Sequence, residues 1–124
     1  MIINKKLIKK IDLCLSTIQQ LTIKCRILFK NKCITIPELN ISNKGVACYY
    51  PNKQIIEINK KILELNSECK IKQILTHEFC HHIMFYIDKG KSTHGKLFNE
   101  CCLILGIPKG PNVIVRTKKG ERIK

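Results

Sequence analysis

Thr76-His77-Glu78-Phe79-Cys80-His81-His82 holds the pattern His-Glu-x-x-His, and after a twelve-residue spacer His94 opens a second short pattern, His94-Gly95-x-x-Phe98. The chain has only four histidines in 124 residues, and three of them stand at metal-ligand spacing. Residues i and i+4 of a helix lie one above the other on one face, so His77 and His81 can aim two imidazoles at a single point. A catalytic zinc takes three protein ligands and keeps its fourth position for water. Glu78 is offset around the helix from the two histidines, which suits it to a zinc-bound water rather than to the ion. That is the place of a general base, taking the proton as water attacks a polarised carbonyl.

The flanking residues supply the helix that this spacing needs. Ile71, Ile74, Leu75, Phe79, Ile83 and Ile87 recur at helical intervals, predicting an amphipathic or buried helix of about twenty residues that begins near Ser67. A polar stretch ending in Gly90-Lys91-Ser92-Thr93 closes it, and a second apolar segment runs from Leu97 to Leu105. His94 stands at the mouth of that second helix and can fold back over the first. Glu100, on the second helix, is the alternative third ligand, giving a two-histidine, one-glutamate site. The His-Gly-x-x-Phe context favours His94, with Gly95 giving backbone room and Phe98 anchoring in the core.

Working outward, residues 4 to 30 carry Leu7, Ile8, Ile11, Leu15, Ile18, Leu21 and Ile23 at helical spacing and predict one long helix. Ile34 to Pro37 reads as a short strand, and residues 45 to 58 as a hairpin turning at Pro51-Asn52. A helical lead-in from Asn59 to Leu65 precedes the histidine helix. Gly106, Pro108, Gly110 and Pro111 break the pattern, and Val113 to Arg116 is a candidate last strand. The class is α+β.

His77-Glu78-x-x-His81, the spacer, and His94-Gly95-x-x-Phe98 resemble the SprT-like (Spartan-type) zinc metallopeptidases. The hairpin Gly45-Val46-Ala47-Cys48-Tyr49-Tyr50 with Gln54-Ile55-Ile56-Glu57-Ile58-Asn59 is similar to the one that those proteins place before the metal helix, and the likeness covers roughly residues 10 to 108. It implies a zincin-like minimal metallopeptidase domain, Zn2+ held by His77, His81 and His94, and Glu78 as catalytic base. Many members also carry a C-terminal zinc ribbon of four cysteines, whereas this sequence has no CxxC pair.

Length and composition fit one domain, residues 1–124, ending in a basic tail at 109–124. No apolar run approaches membrane-spanning length, and Met1 to Leu21 mixes lysines with isoleucines unlike a signal peptide, so a cytoplasmic protein is expected. The eight cysteines are then reduced thiols, and Cys14, Cys25, Cys48 and Cys80 fall at apolar phases where cysteine acts as a small hydrophobe. The charge is divided: residues 1–32 carry +7, residues 109–124 carry +5, and the central 33–108 only +2. Lys5, Lys6, Lys9 and Lys10, with Lys109, Arg116, Lys118, Lys119, Arg122 and Lys124, form a candidate contact with DNA phosphates. Twenty lysines against three arginines also match plain AT-rich coding, and no aromatic residue interleaves the tail's basic residues as a stacking platform.

Smaller candidates have plainer readings beside the functional ones. His82 shares the stripe of Glu78, where packing or support of the site outweighs substrate contact. Tyr49, Tyr50 and Tyr86 can in principle donate to an oxyanion, but as core aromatics they need no such role. Asp88 suits a helix end. The hairpin offers an edge strand, from 45–50 or 54–58, on which a protein or peptide substrate can pair by main-chain hydrogen bonds. The leading expectation is a zinc-dependent peptidase of protein substrates, DNA-associated through its basic ends. The alternative is a non-catalytic zinc-containing or basic DNA-binding regulatory module.

Overall fold

The computed structural model describes residues 4–30, 32–89 and 94–107. Helix α1 (Lys5–Leu28) starts at Asn4, whose side chain accepts hydrogen bonds from the amides of Lys6 and Leu7, satisfying two of the donors that a helix start leaves open. Its buried face is Cys14, Thr17, Ile18, Leu21, Thr22 and Cys25. Ile8, Leu15 and Ile23, expected on that face, are about half exposed instead, and two threonines that apolar counting skips, Thr17 and Thr22, occupy buried positions at the contact. Thr22 Oγ1 donates back to the carbonyl of Ile18 at 2.8 Å, which is how a hydroxyl is tolerated in a packed helix face.

Three short strands follow: β1 (Glu38–Ser42), β2 (Ala47–Tyr50) and β3 (Ile55–Asn59), ordered β1-β3-β2. The hairpin of β2 and β3 is antiparallel and turns over residues 51–54, as expected. β1 pairs parallel to β3 with Leu39 opposite Ile56 and Ile41 opposite Ile58. The expected strand at 34–37 is corrected to 38–42. Around Ile34 and Thr35 the backbone is tied to side chains: Arg26 Nε donates to the Ile34 carbonyl, Tyr86 Oη receives the Thr35 amide, and Pro37 has no N–H to give a ladder. Pairing begins one residue later, with the Glu38 amide on the Gln54 carbonyl. Since β3 is the central strand, the edge near the helices among the described residues is β2 and not 54–58.

Asn59 ends β3 and caps α2 (Lys60–Leu65), the expected helical lead-in. The Lys10 ammonium sits on the carbonyls of Leu63, Glu64 and Asn66, neutralising the end of that helix; it is engaged there rather than held out towards a phosphate. Ser67 then caps α3 (Glu68–Asp88), which spans 21 residues and terminates on Lys89 in the left-handed conformation, one residue before Gly90. Asp88 is therefore the last helical residue of α3, as its helix-end reading required. Helix α4 (Lys96–Ile104) lies over the C-terminal half of α3, and α1 covers its other flank. Burying all-round apolar residues such as Ile71, Ile74, Leu75, Phe79 and Ile83 makes α3 the core of the molecule, with only Ile87 of the expected face partly exposed. The expected strand at 113–116 and the basic tail lie outside the described residues.

Candidate metal centre

Burial and spacing on α3 decide what its motif can do. His77 and Glu78 are both almost wholly buried, and His81, one turn on, is partly open. α4 enters from the other side: Gly95 is its N-cap, and Phe98, fully buried, stacks on the His81 ring at 4.4 Å and meets His77 and His94 edge-on at 5.1 and 4.9 Å. One phenyl ring thus orients three imidazoles. The left-handed backbone here is that of His94 (φ +55°), whereas Gly95 has an ordinary φ of −83°.

Each of His77, His81 and His94 offers a ring nitrogen, and the three nitrogens all lie within 4.8 Å of one another. His81 Nε2 and His94 Nε2 are 3.2 Å apart. Two nitrogens on one tetrahedral zinc, each about 2.0–2.1 Å from it, must be roughly 3.3 Å apart, so this pair is already at ligand separation. Glu100 is exposed on α4 and is not part of this group. Beside the imidazoles, Glu78 Oε1 is buried and accepts no hydrogen bond among the described residues. Burial pushes the Glu78 carboxyl up to about 8. A carboxylate held dry and unpaired next to three convergent imidazoles suits a neighbouring cation, whose charge would favour its ionised form.

His82 has a different task. Its Nε2 faces the Thr35 carbonyl at 2.8 Å, so Nε2 carries the proton and Nδ1 accepts from the Tyr49 hydroxyl at 2.5 Å. Burial keeps this imidazole's pKa low and raises that of Tyr49, so the bridge is neutral at ordinary pH. It ties β2 and the 35 segment to α3. Tyr86 likewise serves Thr35, and Tyr50 Oη donates to Glu57, so each tyrosine has a structural bond. Cys80 lies to one side of the ligand face with its thiol against those of Cys101 and Cys102 of α4, and burial raises its pKa. Cys14, Cys25 and Cys80 are buried as expected, but Cys48 is exposed, because it points to the outer face of the sheet. Sequence reasoning missed Glu57 and the Tyr49–His82 bridge; the alternation of Tyr49 and Tyr50 across β2 was the available signal.

The mixed sheet with its free antiparallel strand, the histidine helix beneath it and the second helix closing on three imidazoles make this a zincin-like α+β domain with a metallopeptidase-like fold. The family model for the SprT-like family matches residues 15–118, and the chain belongs to that family. A search of the curated proteins finds no match. No helix among the described residues is long and apolar enough to cross a membrane.

Proposed function

We propose that the chain is a zinc metallopeptidase that hydrolyses peptide bonds of protein substrates. The observation that carries this reading is the convergence of His77, His81 and His94 beside the buried, unpartnered Glu78 carboxylate. Bound zinc would supply Lewis-acid polarisation of the scissile carbonyl and acidify an attacking water. Glu78 would be the residue to take a proton from an attacking water and return it to the leaving amine, and its dry surroundings would keep it basic enough to do so once a cation is near. β2, an edge strand among the described residues, offers an extended substrate its outer main-chain groups, and the Tyr49–His82–Thr35 bridge fixes that strand over α3. Purified protein should contain about one zinc per chain, and cleavage of an unstructured protein such as casein should vanish with 1,10-phenanthroline and return with added zinc. Cleavage indifferent to metal content would remove the reading.

The proposal includes association with nucleic acid. Its support is the charge: +14 over the chain, with Lys5, Lys6 and Lys9 exposed on the first turns of α1. Binding of an oligonucleotide should fall steeply from 50 to 200 mM salt and weaken when these three lysines become glutamines; salt-independent or absent binding would rule out this part.

A further inference from the structure

β2 turns Tyr49 inward to α3 and sets Cys48 and Tyr50 on the outer face of the sheet, where they border a cavity of about 320 Å³ also lined by Lys44 and Glu57. Glu57 stands directly across from Cys48 in the β2–β3 register, so the two side chains share that face. Glu57 as a residue is 8% exposed, and among the described residues its carboxylate has only neutral donors: Asn40 Nδ2 on Oε1 at 2.8 Å and Tyr50 Oη on Oε2 at 3.0 Å. Among the described residues the ion pairs within 4.0 Å are Lys9–Glu68 and Lys60–Glu64, so neither Lys44 nor any other described cation pairs with Glu57. In a chain of net charge +14 this is a conspicuous gap, since a buried carboxylate ordinarily requires a cation.

The cavity lies along β2, the strand proposed to receive substrate. Tyr49, between Cys48 and Tyr50 on β2, is bonded to His82 of α3, so the strand that borders the cavity is the one fixed to the histidine helix. Strands lie about 4.8 Å apart, so a peptide added to the free edge of β2 has its backbone roughly 10 Å from β3. Short side chains cannot cross that distance. A lysine or arginine side chain can, passing over the small, exposed Cys48 to Glu57.

We propose that this cavity is a subsite for a lysine or arginine side chain of the substrate, its cation received by Glu57 while the backbone lies along β2. The inference rests on the peptidase reading, and its test separates the two. Zinc-loaded full-length Glu78→Gln protein is titrated with fluorescein-labelled Ala-Ala-Lys-Ala-Ala and with its norleucine analogue, and binding is followed by anisotropy. The lysine peptide should bind about tenfold tighter, the size expected of a hydrogen bond to a charged group. Adding Glu57→Gln should erase that preference without weakening the norleucine peptide. Cys48→Arg, at an exposed position that tolerates change, should erase it too by supplying a tethered cation. Equal affinities, no measurable binding of either peptide, or a preference that survives both substitutions would overturn the subsite. A preference that behaves as expected alongside a wild-type protein that, loaded with zinc, does not cleave casein would leave the subsite standing and sink the peptidase reading.

Discussion

Glu78→Gln is expected to lower kcat by about 10²–10⁴-fold while zinc content stays at its wild-type level, because the amide keeps the shape of the side chain and cannot take a proton. Glu78 contributes no ligand atom to the histidine group, so its replacement leaves that group intact. Its burial sharpens the prediction. Wild-type activity retained by Glu78→Gln in an assay with measured zinc content would remove Glu78 as the base.

The same burial gives a second readout in the metal-free protein. A free glutamate ionises near 4.5, whereas folded Glu78 is pushed up to about 8. Between those values the native state holds a proton that the unfolded chain has released, so stability must fall as pH rises through this window and level off above it. At about 1.4 kcal/mol for each pH unit of difference, the effect amounts to a few kcal/mol at most. Urea midpoints of metal-free wild type should therefore drop from pH 5 to pH 8 more than those of Glu78→Gln. Zinc should flatten the wild-type curve. Parallel curves would mean that Glu78 is solvated in solution.

How much of this was legible without coordinates depends on the range over which each feature is encoded. His77, Glu78 and His81 are set by spacing along one helix, and Ser67 and Asn59 cap their helices through local side-chain bonds, so the motif and its boundaries could be read directly. β1 could not, although Leu39 and Ile41 alternate with polar residues, because the apolar Ile34 and Ile36 beside them drew the reading upstream. What separates the two segments is nonlocal: Arg26 and Tyr86 claim the backbone at 34–35, and Gln54 offers Glu38 its first ladder bond. The partner of β1 is likewise invisible locally, since a parallel pairing skips over β2. His82 is the instructive case: its phase put it beside Glu78, yet Tyr49 and Thr35 come from distant positions and take both of its nitrogens.

His94→Ala should cost at least about a hundredfold in zinc affinity, since even loss of an outer partner to a metal ligand typically costs 10–100-fold. As a ligand, His94 would set affinity without setting the fold. His77 and His81 are rooted in the buried helix α3, whereas His94 is exposed, outside any helix, and held by its ring against Phe98 and by its 3.2 Å approach to His81. Its left-handed backbone costs of order 1 kcal/mol or more for a residue with a Cβ, and such strain persists only where the surroundings or a ligand repay it. Metal-free His94→Ala should therefore unfold within a few tenths of a kcal/mol of metal-free wild type, while in zinc the wild type alone gains stability, about 2.7 kcal/mol at a hundredfold excess over Kd. Glu100→Gln is the control that separates the two candidate ligands. Exposed on α4 and outside the imidazole group, it should change zinc affinity little, and the reverse result, zinc lost with Glu100 and kept without His94, would require a different third ligand from the one that Phe98 now orients.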